Sequence, residues 1–293
     1  MGRKLLIVLL VMLLAIVAGF LIYKQFGRRM ENLPGPLTST PKNQPSLPTA
    51  NPAEPSKPGG LTSKSEGPAE PSGFSPRSGE TLEFDANVTK LNSTVAGLKV
   101  VVGERQSIAG KSALHLQAFA HTQNPYRMVF ELDDQFDSYS DPANLHSLQY
   151  ELHLSERGQK VDSVERMLPS LNDPAPAGFV AARVLPGTRD PLGMLMYLRS
   201  VNWSKTNEVR CPVYDGHKLY DVRASLAGKS QGVSVPAGKY TATKIEIHVM
   251  ENGAEMKDAH FLLYLSDTAE RLPVLMEAVL PVATARVELT KVH

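Results

Sequence analysis

The chain opens with an apolar stretch that no charge interrupts from Leu5 to Tyr23, flanked by Arg3 and Lys4 on one side and by Lys24, Arg28 and Arg29 on the other. Nineteen residues at about 1.5 Å each give a helix of roughly 28 Å, close to the ~30 Å hydrocarbon core of a bilayer. Residues 1–30 are therefore expected to be a membrane anchor, with its span at 5–23. A cleaved signal peptide fits less well. A cut after Ala18 would place Ile16 where a small residue is needed, and Phe20, Leu21 and Ile22 continue the apolar run where it should turn polar. The flanking charges balance and do not orient the span. The short amino-terminal tail and the character of the segment beyond the span favour a domain outside the cytoplasm.

Beyond Ser78 the pattern changes to short runs in which Val, Leu, Thr, Tyr and Phe alternate with polar residues, the period of half-buried strands. Strands are expected over Thr81–Leu91, Ala96–Gly103, Ala113–His121, Tyr126–Asp133, Gln135–Ser140, Ser147–Ser155 and Gln159–Met167. The series continues with Phe179–Val184, Val209–Asp215, Lys218–Leu226, Gly238–Glu251, His260–Ser266, Leu272–Leu280 and Ala283–Lys291. Arg157-Gly158, Asp215-Gly216 and Asn252-Gly253 are hairpin turns by composition, because Gly accepts the positive φ of a tight turn. Short turns impose antiparallel pairing, and the lack of interleaved long helices excludes a doubly wound parallel sheet.

One helix stands out after the anchor. Asp190 is a natural N-cap, Pro191 suits the first helical position, and LGMLMYLRS follows. Leu192, Leu195 and Met196 form one stripe while Met194, Tyr197 and Leu198 cover much of the other side, so neither face suits water. The expected fold is mainly β: a single antiparallel, strongly curved sheet or half-barrel around this short buried helix. Met194, Tyr197 and Leu198 are then candidates to line a cavity for an apolar ligand, since methionine adapts to varied shapes and barrel pockets are mostly apolar.

Composition adds a linker. Residues 31–78 carry eleven of the chain's 22 prolines among Ser, Thr, Gly, Asn and Lys, with Leu33, Leu37, Leu47, Leu61 and Phe74 as their only large apolar residues. Such a segment cannot offset its ordering entropy and is expected to be a disordered stalk. Extended in polyproline fashion, it would reach on the order of 100 Å. Residues 79–293 form one domain with a sizeable core. The whole chain has 31 basic and 30 acidic residues, and without a basic footprint nucleic acid is not an expected partner.

Chemical signatures are sparse. Cys211 is the single cysteine, so no internal disulfide can form, and it is expected to be a core filler. Gly228-Lys229-Ser230-Gln231-Gly232 matches GxSxG, but a nucleophile elbow needs a helix after the serine and Val233-Ser234-Val235-Pro236 reads as strand and turn. Glu131, Asp133, Asp134, Asp137 and Asp141 lack calcium-loop spacing, and the eight histidines form neither HxH nor HExxH. No catalytic residue, metal or cofactor is expected from these motifs.

Several segments, in order, resemble a known family: Gly79-Glu80-Thr81-Leu82 with Ala96-Gly97, MVFELDDQFDSYSD at 128–141, DPLGMLMYLRS at 190–200, YDGHKLYDV at 214–222, VPAGKYTATKIEI at 235–247 and LYLSDTAERLPVLMEAVLPVATARVEL at 263–289. Together they are similar to the bacterial domain of unknown function 3108, covering nearly all of residues 79–293. The resemblance implies a largely β domain of exported or envelope-associated proteins and brings no catalytic residues. It places the anchor in the bacterial inner membrane as a single pass, with the domain on the periplasmic side. Two functions follow. The preferred one is a non-enzymatic module that binds an apolar ligand such as a lipid, or an envelope protein partner. The alternative is a hydrolase or polysaccharide-modifying enzyme whose site assembles only in three dimensions, for which Asp133 or Asp137 would have to meet His115 or His121 in a polar cleft.

Overall fold

The computed structural model describes residues 74–293 apart from positions 75, 90, 92, 171–172, 175–176, 252, 257–259 and 281–282. The expected anchor at 5–23 and nearly all of the stalk lie outside the described residues. In chain order the domain contains β1 (Thr81–Val88), β2 (Ser93–Val102), β3 (Gln106–Ile108), β4 (Lys111–Thr122), β5 (Asp133–Ser140), β6 (Ser147–Glu156), β7 (Gln159–Leu168) and β8 (Val180–Arg183). Helix α1 (Pro191–Ser200) follows, then β9 (Glu208–Tyr214), β10 (Leu219–Val235), β11 (Gly238–Glu251), β12 (Ala254–Glu255), β13 (His260–Ser266), β14 (Pro273–Val279) and β15 (Thr284–Val292).

The strands form one sheet in the order β8-β7-β6-β5-β4-β2-β1-β15-β14-β13-β11-β10-β9, with β3 on β4 and β12 on β11. The first and last strands pair with each other in the middle of this path, so the two free edges are β8 and β9. The sheet curls but does not close. Across the seam, Arg189 makes a one-residue parallel bridge to β9: its N–H donates to the Pro212 carbonyl at 3.0 Å and its carbonyl accepts from Tyr214 N–H at 2.8 Å. The Tyr214 hydroxyl donates to Glu165 on β7 at 2.6 Å, a side-chain tie over the same gap.

Alternation explains which face is buried. In β1, Leu82, Phe84, Ala86 and Val88 are buried and the residues between them are not, and β15 repeats the pattern with Ala285, Val287 and Leu289. A one-residue slip would expose all of these side chains together, which pins the register. The Arg157-Gly158 turn between β6 and β7 has positive φ at both residues, 51° and 78°, as a two-residue hairpin requires.

The structure adds the short strands β3 and β12, which the sequence reading lacks, and departs from it in four further respects. Tyr126–Asp133 is not a strand: Tyr126–Met128 is a 3-10 turn and β5 begins only at Asp133. Pro125 supplies no N–H for a ladder, and the Tyr126 hydroxyl is engaged with Ser93. Second, β10 runs past Leu226 to Val235. Gly228 and Gly232 mark no chain reversal; instead the pairing with β11 slips between Leu226 and Gln231, where Ser230 takes a φ of 54°. The far end of this hairpin folds back, so that Val233 and Val235 join the core and Ala237 N–H donates to the Leu289 carbonyl. Third, β8 pairs with β7 in parallel, because the connection between them is long enough to return the chain to the other end of β7. Fourth, Phe74, which the sequence reading assigned to a disordered linker, has its ring centroid 5.0 Å from the Arg199 guanidinium and 5.9 Å from that of Arg271, in cation–π contact with both.

Helix α1 is the plug. All of its residues from Leu192 to Ser200 are buried, and a ten-residue helix would be marginal alone in water. Its six large apolar side chains each contribute roughly 1.5–3 kcal/mol on burial, so packing rather than propensity holds it. Close approach to β5 and β6 depends on Gly193, where a Cβ would lie 3.1 Å from Ser140 Oγ and 3.2 Å from Ser147 Oγ. Gly193→Ala gains up to about 1 kcal/mol of helix propensity but incurs about 1–3 kcal/mol of overpacking. The expected net effect is a loss of about 1 kcal/mol, read as a lower urea midpoint at unchanged slope; a midpoint at or above that of the parent would show that the helix can shift freely.

Candidate functional site

Two polar arrangements seat α1 and thereby shape the interior. At its start, the Asp190 side chain accepts from Gly193 N–H at 2.9 Å, from Ser138 Oγ at 2.6 Å and from Ser147 Oγ, while Asp190 N–H donates back to Ser147 Oγ at 2.7 Å. Burial pushes the Asp190 carboxyl above the usual range, and these hydrogen bonds pull it back. At the other end one Arg271 nitrogen donates to the carbonyls of Arg199, Ser200 and Val201, each at 3.0 Å, and Trp203 Nε1 donates to Leu198. Arg199, fully buried, pairs with both oxygens of Glu80 at 2.6 and 3.0 Å. The helix ends are thus satisfied by side chains from distant strands and loops.

Between α1 and strands β9–β11, β13 and β14 lies a partly open apolar cavity of about 70 Å³. The helix contributes Met194, Leu195 and Leu198; Val222, Ile247 and Met276 represent the strand walls, and Asp215 and Tyr220 stand at the turn side. The volume is roughly half that of an engineered ~150 Å³ cavity that admits benzene. In its present shape it has room for a few methylene groups and none for a whole lipid. Met194 and Met276 are the side chains most able to swing and lengthen it. A second hollow of about 60 Å³ lies beside Phe74, Gly103 and Arg105 and has mixed walls.

Of the three residues that helix periodicity nominated, Met194 and Leu198 line the cavity and Tyr197 does not. Tyr197 lies under Arg189, whose guanidinium is 3.7 Å from the ring centroid and donates to the carbonyls of Gly187 and Asn144. Leu195, from the other stripe, lines the cavity in place of Tyr197, because Arg189 occupies the Tyr197 side. Asp215 and Tyr220 were not nominated, since a turn aspartate and an inward strand tyrosine have no distinguishing spacing. Cys211 is buried with its thiol 3.2 Å from Met194 Sδ, and burial pushes its pKa up to about 11, which suits a core filler.

The convergence that would favour an enzyme does occur in one respect. His115 Nε2 lies 2.7 Å from Asp137 Oδ1, both residues being buried. The remaining geometry is that of a structural network. Asp137 also accepts from Gln117 at 2.8 Å and Gln135 at 2.7 Å, His115 Nδ1 faces Gln106 at 3.2 Å, and the imidazole stacks on Tyr139 at 4.6 Å. Both ring nitrogens are engaged, and neither faces a hydroxyl or thiol nucleophile. His115 and Asp137 alternate with the inward residues Leu116 and Phe136, so the pair sits on the outer face of β4 and β5, opposite the cavity. Asp133 is instead clamped by Arg127, whose hydrogen bond holds its carboxyl below the usual range. Among the described residues no group of three His, Cys, Asp or Glu is placed to hold a metal ion.

The family profile described as "Protein of unknown function (DUF3108)" matches residues 84–290, most of the chain. The chain belongs to this family. No functionally curated protein matches it. Among solved structures, the DUF3108 domain is similar to a β-barrel-like protein of domain of unknown function DUF1849 from Brucella abortus, at 10% identity over 75% of this chain and 99% of that one, with a TM-score of 0.49. It is also similar to a protein with a YmcC-like fold from Bacteroides fragilis, at 10% identity over 77% and 99% of the two chains and a TM-score of 0.35.

One further carboxyl in the DUF3108 domain is strongly perturbed. Asp134, at the start of β5, is pushed up to about 7, first by burial and then by the Glu156 and Asp133 carboxylates, against the pull of Ser155 N–H at 2.8 Å. An aspartate in an unfolded chain titrates near ~3.9, so the folded state holds this proton more tightly. The stability it contributes is complete below pH ~4 and is lost as pH rises through about 7. Glu156 is raised by burial too and acts in the same sense. In urea titrations from pH 5 to 8 the parent should lose stability with rising pH and Asp134→Asn should lose distinctly less; parallel profiles would contradict the assignment.

Proposed function

We propose that this DUF3108 domain is a non-enzymatic module that binds the apolar part of a ligand in the cavity beside α1. The observation that carries this reading is the cavity itself: apolar walls from one helix and five strands, with no catalytic grouping among the described residues that line it. Burying a few methylene groups there would supply about 0.8 kcal/mol each. The two methionines on opposite walls give the adaptability that chains of different length demand. The domain is tethered to a bacterial inner membrane through residues 5–23, faces the periplasm and works at a distance set by its proline-rich stalk. A lipid is the natural ligand in that location.

Incubating membranes that carry the full chain with a diazirine-bearing long-chain alcohol tests the site. Light should attach the probe to peptides containing Met194 or Met276. Filling the void with Val222→Phe should remove that labelling while leaving thermal stability at or above the parent value. Labelling confined to the span at 5–23 would refute the binding function. The tether has its own test: alkaline carbonate should leave the full chain in the membrane pellet, and its appearance in the supernatant would eliminate the anchor.

A further inference from the structure

Leu91, Met128, Val129, Val161 and Val279 are large apolar residues exposed to solvent, and the strand ladder gathers all of them on one rim of the curled sheet. β1 begins at Thr81, where the chain enters, and ends at Val88; antiparallel pairing brings the β1–β2, β4–β5, β6–β7 and β14–β15 turns to the Val88 end. Neighbouring turns are joined to each other. Thr89 N–H donates to the Thr284 carbonyl at 3.0 Å, Gln123 N–H to the Val95 carbonyl at 2.9 Å and Arg157 N–H to the Glu131 carbonyl at 2.9 Å.

Met128 and Val129 form the crest of this rim, 86% and 52% exposed, and the chain around them is held in place. Phe130 N–H donates to the Tyr126 carbonyl at 2.9 Å, the Tyr126 hydroxyl is engaged with Ser93, and the Arg157 guanidinium lies 5.9 Å from the Phe130 ring centroid. Arg127 donates to Glu131 at 2.8 Å and to Asp133 at 2.9 Å, so both carboxylates of the tip are matched by a cation. The polar groups of the tip are turned on one another, and its aliphatic side chains are what it offers to a neighbour.

The size of the rim and its position relative to the tether select that neighbour. A stable protein–protein interface buries at least about 1,200 Å² in total, and a single line of partly exposed side chains falls short of it. A bilayer requires less, because a tethered domain meets it at an effective concentration on the order of millimolar and a few inserted side chains then suffice. Fifty residues separate Tyr23 from Phe74, and extended they would reach on the order of 100 Å. The domain is about 40 Å tall along the twelve residues of β4. The tether is therefore long enough to run back along the domain and let the end opposite the chain entry meet the membrane.

Resting on the tether proposed above, we propose that the rim led by Met128 and Val129 docks on the bilayer that holds the span at 5–23, with these two side chains inserted into its interfacial region. The β9–β10 turn, which borders the cavity, belongs to the same rim, so docking turns that side of the cavity toward lipid. The docking surface itself does not depend on the cavity being filled.

Cys211 is buried and its thiol is pushed up to about 11, so a cysteine introduced at an exposed position takes a thiol-reactive dye in its place. Met128→Cys reports on the rim and Val292→Cys, also exposed, on the chain-entry end. Each full-length variant, labelled with an environment-sensitive dye, is reconstituted sparsely into phosphatidylethanolamine–phosphatidylglycerol vesicles containing lipid brominated on its acyl chains. Quenching at 128 should exceed that at 292 by at least about threefold, and adding Val129→Asp should reduce it by about half or more. Equal quenching at the two positions, or none at 128 in a chain that floats with the vesicles, overturns the docking and leaves the tether standing. An emission shift at 128 that resists brominated lipid and grows with the number of chains per vesicle assigns the rim to a second copy and likewise overturns it. A chain that does not float with the vesicles overturns both.

Discussion

The architecture depends on holding a helix with no polar face inside a sheet that does not close. Asp190 is the fixed point. Its carboxylate is buried yet bonded to Ser138, Ser147 and Gly193, so it caps the helix and ties it to β5 and β6. Arg189, one residue earlier, bridges to β9 on the other side of the seam. Two adjacent residues therefore connect the start of the plug to the interior strands β5 and β6 and to the edge strand β9. Without the Arg189 bridge, β9 would leave the Pro212 carbonyl and the Tyr214 N–H unpaired.

The far end of the helix is secured by a different chemistry. Arg271 satisfies three terminal carbonyls, and Arg199 is sunk beside Glu80 at the beginning of the domain. Phe74 then lies over both guanidinium groups. The segment that leads into β1 is thus part of the lock on α1. The cavity runs along one flank of the helix, past Pro191, Met194, Leu195 and Leu198, and faces the β9–β10 turn. Polar anchoring at the two helix ends leaves an apolar space along its flank.

Some polar groups that resemble chemistry serve structure instead. His115 and Asp137 have the contact that an acid–base pair would need, but four neighbouring side chains engage them, and they occupy the outer face. The nitrogen of His115 that does not face Asp137 faces the Gln106 amide and not a hydroxyl or thiol that it could activate. The polar groups that bear on the cavity, Asp215 and Tyr220, are inconspicuous by comparison.

The sequence by itself determined the class of the domain, its family, most of its strands and its one helix, because period-2 burial, turn glycines and the Asp190-Pro191 start are local properties. It also nominated Met194 and Leu198. It could not decide that Tyr197 would be covered by Arg189, that Tyr126–Asp133 would leave the sheet, or that Phe74 would join the domain. It could not show that β10 would run through its glycines and fold back over β15. Those outcomes rest on contacts between residues far apart in the chain, and local periodicity carries no information about such contacts. The tertiary structure alone decided where the empty space lies and which charge borders it, since a cavity is the volume that surrounding elements fail to fill and no single segment encodes it.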